Sequence, residues 1–384
     1  MGFLKGSVSF VRYRPDLPRP RAFGEDHLDR LRDHAAGRQK VAAADGVETG
    51  WAAGDHILDT DFGDLKNVFP DHLLCDFWTL TDKVPADLLK AYYEVELKAL
   101  CRDNPSGFPS ARQKREAKEA ARERIEDEAK DGRFKKRKLV PTAWDAVRNE
   151  VFFGSTSPTA RGRFESLFEQ TFDGGVRPVS AGDLAVRLRP KAEDERLSAF
   201  VPGVTPDEVP GWQPDAGGPP DFLGNEFLLW LWYHADEIGD TLALPDGSEA
   251  AFMFSGGVKV EDPRGQTGKG TLNSSSAVRL PEARAAVRTG KLPRQAALTV
   301  VRQADQFSFL LQAETLAVTS AKLPPPPDDA NGRARDEHRL QAVRDLAEAV
   351  EQMFAAFLAR RMSANWAAEL ADVQAWLGRS RVGA

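Results

Sequence analysis

Alternation of apolar and polar residues, the pattern of a half-buried β-strand, occurs repeatedly in the first hundred residues. It predicts strands over residues 7–12, 55–62 and 73–81. Apolar residues at helical spacing predict helices over residues 26–37 and 85–101, the second of which starts with a proline. This part of the chain is therefore expected to form a mixed α and β unit.

The same two patterns return after residue 149. Alternation predicts strands over residues 150–156, 250–260, 296–302 and 306–312, with a polar turn joining the last two. Helical spacing predicts a helix that starts at Ser157 and buries Phe164, Leu167, Phe168 and Phe172, and a short buried helix over residues 223–237. We expect a second α+β unit here.

Four prolines at residues 324–327 favour an extended segment and indicate a boundary. A helical pair is predicted after them. The first helix has an apolar stripe from Leu340 to Leu358, and the second, capped by Ser363, carries Trp366 and Trp376.

A long charged segment lies between the two mixed units. Residues 111–130 are nearly all strong helix formers, with a thin stripe of small apolar residues at Ala117, Ala121, Ile125 and Ala129. A helix with so narrow an apolar stripe is expected to be mostly exposed.

Together these patterns predict an α+β protein. We divide it into an N-terminal α+β unit at residues 1–103, a charged helix and basic loop at 104–138, a second α+β unit at 139–322, and a helical pair at 329–384. Residues 191–220 are rich in proline, glycine and acidic residues, which is typical of a long connection or insertion.

The charges are strongly separated along the chain. Of its 384 residues 41% are apolar, enough for a substantial core, and the net charge is −6, which is unfavourable for a nucleic-acid partner. Residues 112–138, however, contain twelve Lys or Arg against seven Asp or Glu, a net charge of +5, which leaves −11 for the rest of the chain. Since charges act mainly within about 8 Å in physiological salt, a basic segment on an acidic protein still attracts DNA.

The end of this segment is the most basic part of the chain. Glu and Lys or Arg at i,i+4 spacing, such as Arg115 with Glu119 or Glu126 with Lys130, predict a self-paired helix in the first part. The run Arg133, Lys135, Lys136, Arg137 and Lys138 has one close acid, Asp131, and contains Phe134. This run favours contact with phosphates over a merely solvated helix.

No metal ion or cofactor is predicted. Cys75 and Cys101 are not at a metal-ligand spacing and are expected to be reduced, buried thiols, and the histidines form no HExxH motif. Asp59 and Asp61 would share one face of the strand predicted over residues 55–62, where they either hold a cation or face solvent.

The chain is expected to be cytoplasmic, with no membrane partner. Its first residues have no apolar run with a cleavage site, and the most apolar segment, residues 227–233, is far shorter than the about 20 residues that cross a bilayer.

Two further motifs leave alternatives open. Asp71 followed by Glu96 and Lys98 imitates a metal-dependent nuclease of the PD-(D/E)xK type, but Glu96 and Lys98 fall in a predicted helix, whereas such sites use a strand. The glycine-rich residues 264–270 lack the first glycine and the final Ser or Thr of a phosphate-binding loop. They form either a flexible hairpin tip or a loop that presents Arg264 and Lys269 to phosphate.

Several segments, in order along the chain, make it resemble the bacterial recombination-associated RdgC family. They are Gly50-Trp51, Asp82-Lys83-Val84-Pro85, Gly132-Arg133-Phe134-Lys135-Lys136, Ala143-Trp144-Asp145, residues 149–155, Thr289-Gly290-Lys291, residues 296–299 and the helix from Asp336. This chain is longer than typical members, with extra residues near 191–220 and after Pro324.

The resemblance implies a homodimer that closes into a ring around double-stranded DNA in the nucleoid, binds with little sequence preference and restrains RecA-dependent recombination. Arg112 is similar to the family's basic residue on the charged helix, and Phe134 is similar to an aromatic residue near the dimer interface. We predict a non-enzymatic protein. The predicted DNA-binding residues are Arg112, Lys114, Arg115, Lys118, Arg133, Lys135, Lys136, Arg137, Lys138, Arg264 and Lys269. The alternatives are a nuclease and a scaffold that binds a protein partner through Trp366 and Trp376.

Overall fold

A computed structural model describes residues 2–38, 46–102, 104, 108–188, 219–262, 269–272 and 281–378. Its strands are β1 (Val8–Pro15), β2 (Glu48–Ala52), β3 (His72–Asp82), β4 (Lys135–Asp145), β5 (Glu150–Phe153), β6 (Val176–Pro178), β7 (Thr241–Ala243), β8 (Glu249–Glu261), β9 (Lys269–Leu272), β10 (Leu292–Arg302), β11 (Asp305–Gln312) and β12 (Val318–Lys322). Its helices are α1 (Glu25–Asp33), α2 (Asp64–Asn67), α3 (Ala86–Leu100), α4 (Ala111–Ala129), α5 (Pro158–Phe172), α6 (Ala181–Leu188), α7 (Leu223–Glu237), α8 (Pro281–Arg288), α9 (Gly332–Arg361) and α10 (Trp366–Gly378). The predicted α+β class is confirmed.

The chain forms two compact units. The first unit contains Met1–Gly24, Val68–Leu74 and Pro141–Ala384, and the second unit contains Glu25–Asn67 and Cys75–Val140. Neither unit is a consecutive stretch of chain, in contrast to the four consecutive domains expected from the sequence, because the chain passes between the units four times. The C-terminal helices α9 and α10, predicted as a separate pair, belong to the first unit.

The sheet of the first unit is antiparallel, with the strand order β5-β1-β12-β11-β10-β8-β7. Strand β6 pairs with β1, β9 pairs with β8, and residues 142–145 of β4 pair with β5. Strands β10 and β11 form the predicted hairpin, in which Thr299 lies opposite Ser308. Gln303 and Ala304 in its turn both have positive φ angles, of 51° and 75°, as a tight two-residue turn requires.

Helices cover the sheet of the first unit. The aromatic rings of Phe153 and Phe164 stack with centroids 4.3 Å apart, which seats α5 on β5. Helix α7 is buried from Leu223 to Tyr233, as its unbroken apolar run predicts, and it packs against α9 through Phe227 and Phe354. The predicted buried faces of α5 and α7 are thus confirmed.

The second unit contains β2, β3 and the beginning of β4, with helices α1 to α4. Trp51 and Phe77 lie opposite each other on β2 and β3, with ring centroids 6.4 Å apart. Trp51 is fully buried and thus anchors the core of this unit.

The strand predicted over residues 55–62 is wrong. These residues form turns in which the Asp59 carboxylate accepts hydrogen bonds from the backbone N–H groups of Asp55 and Asp61, at 3.0 and 3.1 Å, and pairs with Lys66 at 2.8 Å. Asp59 and Asp61 therefore do not share a strand face. The alternation misled because Leu58, one of its apolar positions, is 66% exposed.

Helices α3 and α4 form a hairpin in the second unit. Helix α4 begins with a capping box, in which Ser110 and Gln113 bind each other's backbone N–H groups. It buries Ala117, Ala121 and Ile125, three of the four residues in the predicted stripe, while α3 buries none of its residues. The prediction of a mostly exposed charged helix is confirmed. Across the described ranges, no helix is long and apolar enough to cross a membrane.

Candidate nucleic-acid interface

The basic run lies at the start of strand β4, where Lys135, Lys136, Arg137 and Lys138 are all exposed. Successive side chains of a strand point to opposite faces. Lys135 and Arg137 therefore point to one face and Lys136 and Lys138 to the other. Both faces of this strand end present cations to solvent.

The backbone of β3 holds this strand end in place. The Lys83 N–H donates to the Phe134 carbonyl at 3.0 Å, and the Thr81 hydroxyl donates to the Lys136 carbonyl at 3.4 Å. Phe134 itself is half-buried in the turn that precedes β4. The cations are therefore carried by a regular strand and not by a free loop.

The four cations at residues 135–138 have no carboxylate within 4.0 Å in the part of the chain that the structure describes. The nearby acids pair with Arg133 instead. Its guanidinium forms ion pairs with Asp131, at 2.7 Å, and with Glu128, at 3.1 Å. The hydrogen bonds from Arg133 lower the pKa of the Asp131 carboxyl and keep it ionised. Arg133 is thus the predicted cation whose charge is locally compensated, and it stabilises the turn.

The first turns of α4 carry a second group of exposed cations: Arg112, Lys114, Arg115 and Lys118. The predicted ion pairs of Arg115 with Glu119 and of Glu126 with Lys130 are wrong. Lys130 pairs with Asp127 at 2.6 Å instead. Exposed long side chains gain little from any one pairing geometry, so i,i+4 spacing alone does not fix their partners.

The acids and cations in the C-terminal half of α4 compensate each other instead. Arg124 lies 3.8 Å from Glu96 on α3 and 4.0 Å from Glu128, and its guanidinium stacks over the Tyr92 ring at 4.3 Å. Self-pairing, expected for the whole first part of the segment, is therefore confined to its later turns. This difference depends on tertiary structure, because α3 supplies the residues that contact Arg124.

A groove of about 490 Å³ lies between α3 and α4. Lys90, Lys114, Arg115 and Lys118 line it together with Leu89 and Tyr93. Lys90 was missed by the sequence analysis, because only the pairing of α3 with α4 brings it beside the other three. Its own acid, Glu94, is 3.9 Å away. The groove combines an apolar floor with an excess of positive charge.

The two groups of cations lie near opposite ends of α4. This helix has 19 residues and is therefore about 28 Å long.

The other predicted sites are placed as follows. Arg264 and most of residues 191–220 lie outside the described residues, and so does the side chain of Lys269, whose backbone begins β9. The choice between a hairpin tip and a phosphate-binding loop therefore stays a prediction.

The residues of the nuclease alternative have partners of other kinds. Asp71 accepts hydrogen bonds from Arg344 at 3.3 Å, and Glu96 lies on helix α3 near Arg124. Because Glu96 and Lys98 are two residues apart on a helix, their side chains point in different directions. No group of three or more His, Cys, Asp or Glu placed to hold a metal ion occurs among the residues described.

The residues of the scaffold alternative pack inside the first unit. Trp376 is fully buried, and its indole N–H donates to Asp236 at 2.8 Å. Trp366 is half-buried and packs edge-on against Phe357 at 6.0 Å. Cys75 and Cys101 are free thiols; Cys75 is buried, as expected, whereas Cys101 is only partly buried. Burial raises the pKa of the Cys75 thiol.

Fold and site together define an α+β protein with two groups of solvent-facing cations on its second unit. The sequence matches no protein-family profile and no curated protein.

Proposed function

We propose that this protein binds double-stranded DNA with little sequence preference, through phosphate contacts made by Lys135, Lys136, Arg137 and Lys138. The observation that carries the proposal is that these four consecutive cations are exposed on both faces of an ordered strand and have no carboxylate within 4.0 Å among the residues described. Nothing inside the described chain compensates their charge, so a phosphate backbone is a suitable partner.

The physical basis is counterion release. Each phosphate that a Lys or Arg neutralises releases condensed cations from the duplex. For each such contact, the logarithm of the binding constant falls by about 0.9 when the salt concentration rises tenfold. Four contacts per subunit predict a slope of about −3.6. Lysine contacts phosphate as a point charge, and phosphate contacts carry no base sequence, which accounts for the tolerance of sequence.

The cations of the α3–α4 groove supply a second contact in this proposal. Arg112, Lys114, Arg115 and Lys118 lie in the first turns of α4, whereas the strand cations follow its C-terminal end, so the two groups can bind one duplex at separate phosphates. The resemblance to the RdgC family extends the proposal to a homodimer that encircles the duplex and acts on RecA-dependent recombination. In such a dimer each group of cations would occur twice around the DNA.

The decisive experiment exchanges the four strand cations for Glu and measures the affinity for unrelated duplexes at fixed salt. Loss of four phosphate contacts should weaken binding at least a hundredfold, equally for all sequences, and should reduce the salt slope. A matched control changes four exposed cations of the first unit, Lys259, Arg288, Lys322 and Arg335, to Glu. It alters the net charge equally but should retain most of the affinity.

Equal losses in both quadruple variants would show that net charge, and not the strand, governs binding. Strong discrimination between unrelated duplexes would contradict the proposed mode of contact. The same incubations with Mg²⁺ or Mn²⁺ test the nuclease alternative, since cleavage that disappears in Glu96→Ala would replace this proposal.

A further inference from the structure

A cluster of arginines lies in the first unit, apart from the residues proposed to bind DNA. Arg12 and Arg14 project from β1, Arg148 lies in the turn before β5, and Arg187 lies near the end of α6. We call these four residues the arginine cluster. They surround two carboxylates, Glu150 on β5 and Glu351 on α9.

Both carboxylates are saturated by the surrounding guanidinium groups. Glu351 contacts Arg12 at 2.9 Å and Arg187 at 3.0 Å, and it also pairs closely with Arg148. Burial alone would raise the pKa of Glu351, but these arginines lower it to about 2, so this carboxyl is ionised at neutral pH.

Glu150 is almost completely buried and is shared in the same way. It lies 3.3 Å from Arg148, 3.4 Å from Arg14 and 3.6 Å from Arg12. The two carboxylates Glu150 and Glu351 are therefore shared by the four guanidinium groups of the cluster. A third acid, Glu348, is shared with the cluster: it lies 3.9 Å from Arg148 and 3.0 Å from Arg302, and Arg302 also pairs closely with Asp246.

The cluster thus has about one to two positive charges in excess, depending on how Glu348 is shared, and hydrogen-bond donors that are not used. The side chain of Arg12 is 2% exposed, yet its Nη2 has no hydrogen-bond partner, and the buried Nε of Arg187 has none either. Buried guanidinium N–H groups without partners are costly, since each loses its hydration without compensation. Both the charge and the free donors call for a further anion.

The rim of the cluster gives a route for that anion. The side chains of Arg14 and Arg187 are 26% and 33% exposed, whereas that of Arg12 is 2% exposed. Guanidinium groups bind tetrahedral oxyanions through paired N–H donors. We propose that the arginine cluster is a binding site for one phosphate group, free or as a monoester, whose one to two negative charges near neutral pH match the excess.

Arg14 and Arg187 receive the phosphate at the rim, and the unpaired N–H of Arg12 binds it from inside. A carboxylate carries one charge and a flat pair of oxygens, so it compensates the cluster less well. The site is independent of the proposed DNA interface, because all of its residues belong to the first unit.

The test is a calorimetric titration of the full chain with inorganic phosphate, with a phosphate monoester such as AMP, and with acetate, all at constant ionic strength. We expect a dissociation constant of about 1 mM or tighter for phosphate or for the monoester, and at least tenfold weaker binding of acetate. The two phosphate arms distinguish the free ion from a phosphorylated metabolite.

Arg14→Met and Arg187→Met should each weaken phosphate binding at least tenfold, while Arg288→Met, an exposed arginine on α8, should leave it unchanged. Phosphate should also raise the Tm of the unaltered chain, and it should raise the Tm of the two variants less. A cooperative melting transition of each variant in the absence of phosphate shows that the variant is folded. DNA affinity should be unaffected by Arg187→Met. The proposal is overturned if neither phosphate compound binds saturably at 10 mM, or if both variants bind as tightly as the unaltered chain.

Discussion

At the scale of single residues, buried ion pairs determine much of the first unit. Arg344 on α9 donates to both oxygens of the fully buried Asp145, at 2.6 and 3.0 Å, and also to Asp71. A buried carboxylate that keeps its charge needs such a partner. Asp145, which ends β4, is thereby fixed to a helix some two hundred residues further along the chain.

Replacing Arg344 by Met should therefore leave Asp145 buried and unpaired. We expect a loss of about 3–5 kcal/mol in the free energy of unfolding, measured by urea denaturation. Arg335→Met, an exposed change on the same helix, should cost less than about 0.5 kcal/mol. Similar losses in both variants would mean that the Asp145 pair contributes little.

His72, 3.8 Å from Asp145, predicts a pH dependence. Burial is the main reason that the pKa of His72 is lowered to about 4, although Asp145 and Asp71 oppose it. The unfolded chain, with a histidine pKa of about 6.5, therefore binds a proton that the folded chain refuses. The resulting stability, about 3 kcal/mol, is present above pH 6.5 and is lost as the pH falls towards 4.

Urea denaturation of the unaltered chain and of His72→Gln at pH 7 and pH 5 measures this contribution. The variant should lose less stability over this interval. The difference between the two proteins is the quantity to compare, because burial raises the pKa of Glu226 to about 7, and this acid acts in the opposite sense over the same range. Equal losses in the two proteins would contradict a neutral, buried His72.

At the scale of elements, helix α7 shows how packing overrides local preference. It contains Gly224, although glycine is a poor helix former. A Cβ atom at Gly224 would lie 1.9 Å from the Ala313 carbonyl oxygen, so only glycine allows this close approach. By contrast, a Cβ atom at Gly162 in α5 would meet nothing within 4 Å.

The two glycines predict effects of opposite sign. Gly224→Ala should destabilise the protein by more than about 2 kcal/mol, because backbone must move to admit the methyl group. Gly162→Ala should stabilise it by up to about 1 kcal/mol, the ordinary helix preference. Thermal or urea unfolding of the two variants measures these changes in stability. Stabilisation by both substitutions would show that the backbone around Gly224 moves at little cost.

Periodicity predicts most of the helices and strands, but it does not predict which residues pair or pack with each other. Helix α4 and strands β8, β10 and β11 follow their apolar patterns closely, since burial on one face dictates those patterns. Strand β2 was missed because it is short and its Thr49-Gly50-Trp51 sequence does not alternate clearly. The cap expected at Ser363 is also wrong, since its hydroxyl has no hydrogen-bond partner among the described residues and α10 begins at Trp366.

At the scale of the whole molecule, the separation of charge is the dominant property. The segment at residues 112–138 carries +5 while the remaining chain carries −11. If the chain binds DNA as proposed, repulsion from its acidic remainder would direct the duplex to the cationic groups on α4 and β4.

Encirclement, if the proposed ring forms, predicts a dependence on DNA topology. Complexes with closed circular duplex should survive a salt challenge that releases the protein from linear duplex of equal length, because a closed ring slides off free ends only. Blocking both ends of the linear DNA should restore the persistence, as measured by retention after transfer to high salt. Equal release from all three substrates would leave DNA binding intact but exclude a topological link.

The sequence by itself determined the α+β class, most helices, half of the strands, and the position of the basic run, because periodicity and charge are local properties of the chain. Only the tertiary structure decided which cations are compensated. It placed α3 beside α4, which paired Arg124 and brought Lys90 to the groove, and it joined Arg12, Arg148 and Arg187 around Glu351. Ion pairs depend on distances of a few ångströms between residues far apart in the chain, and no local pattern contains those distances.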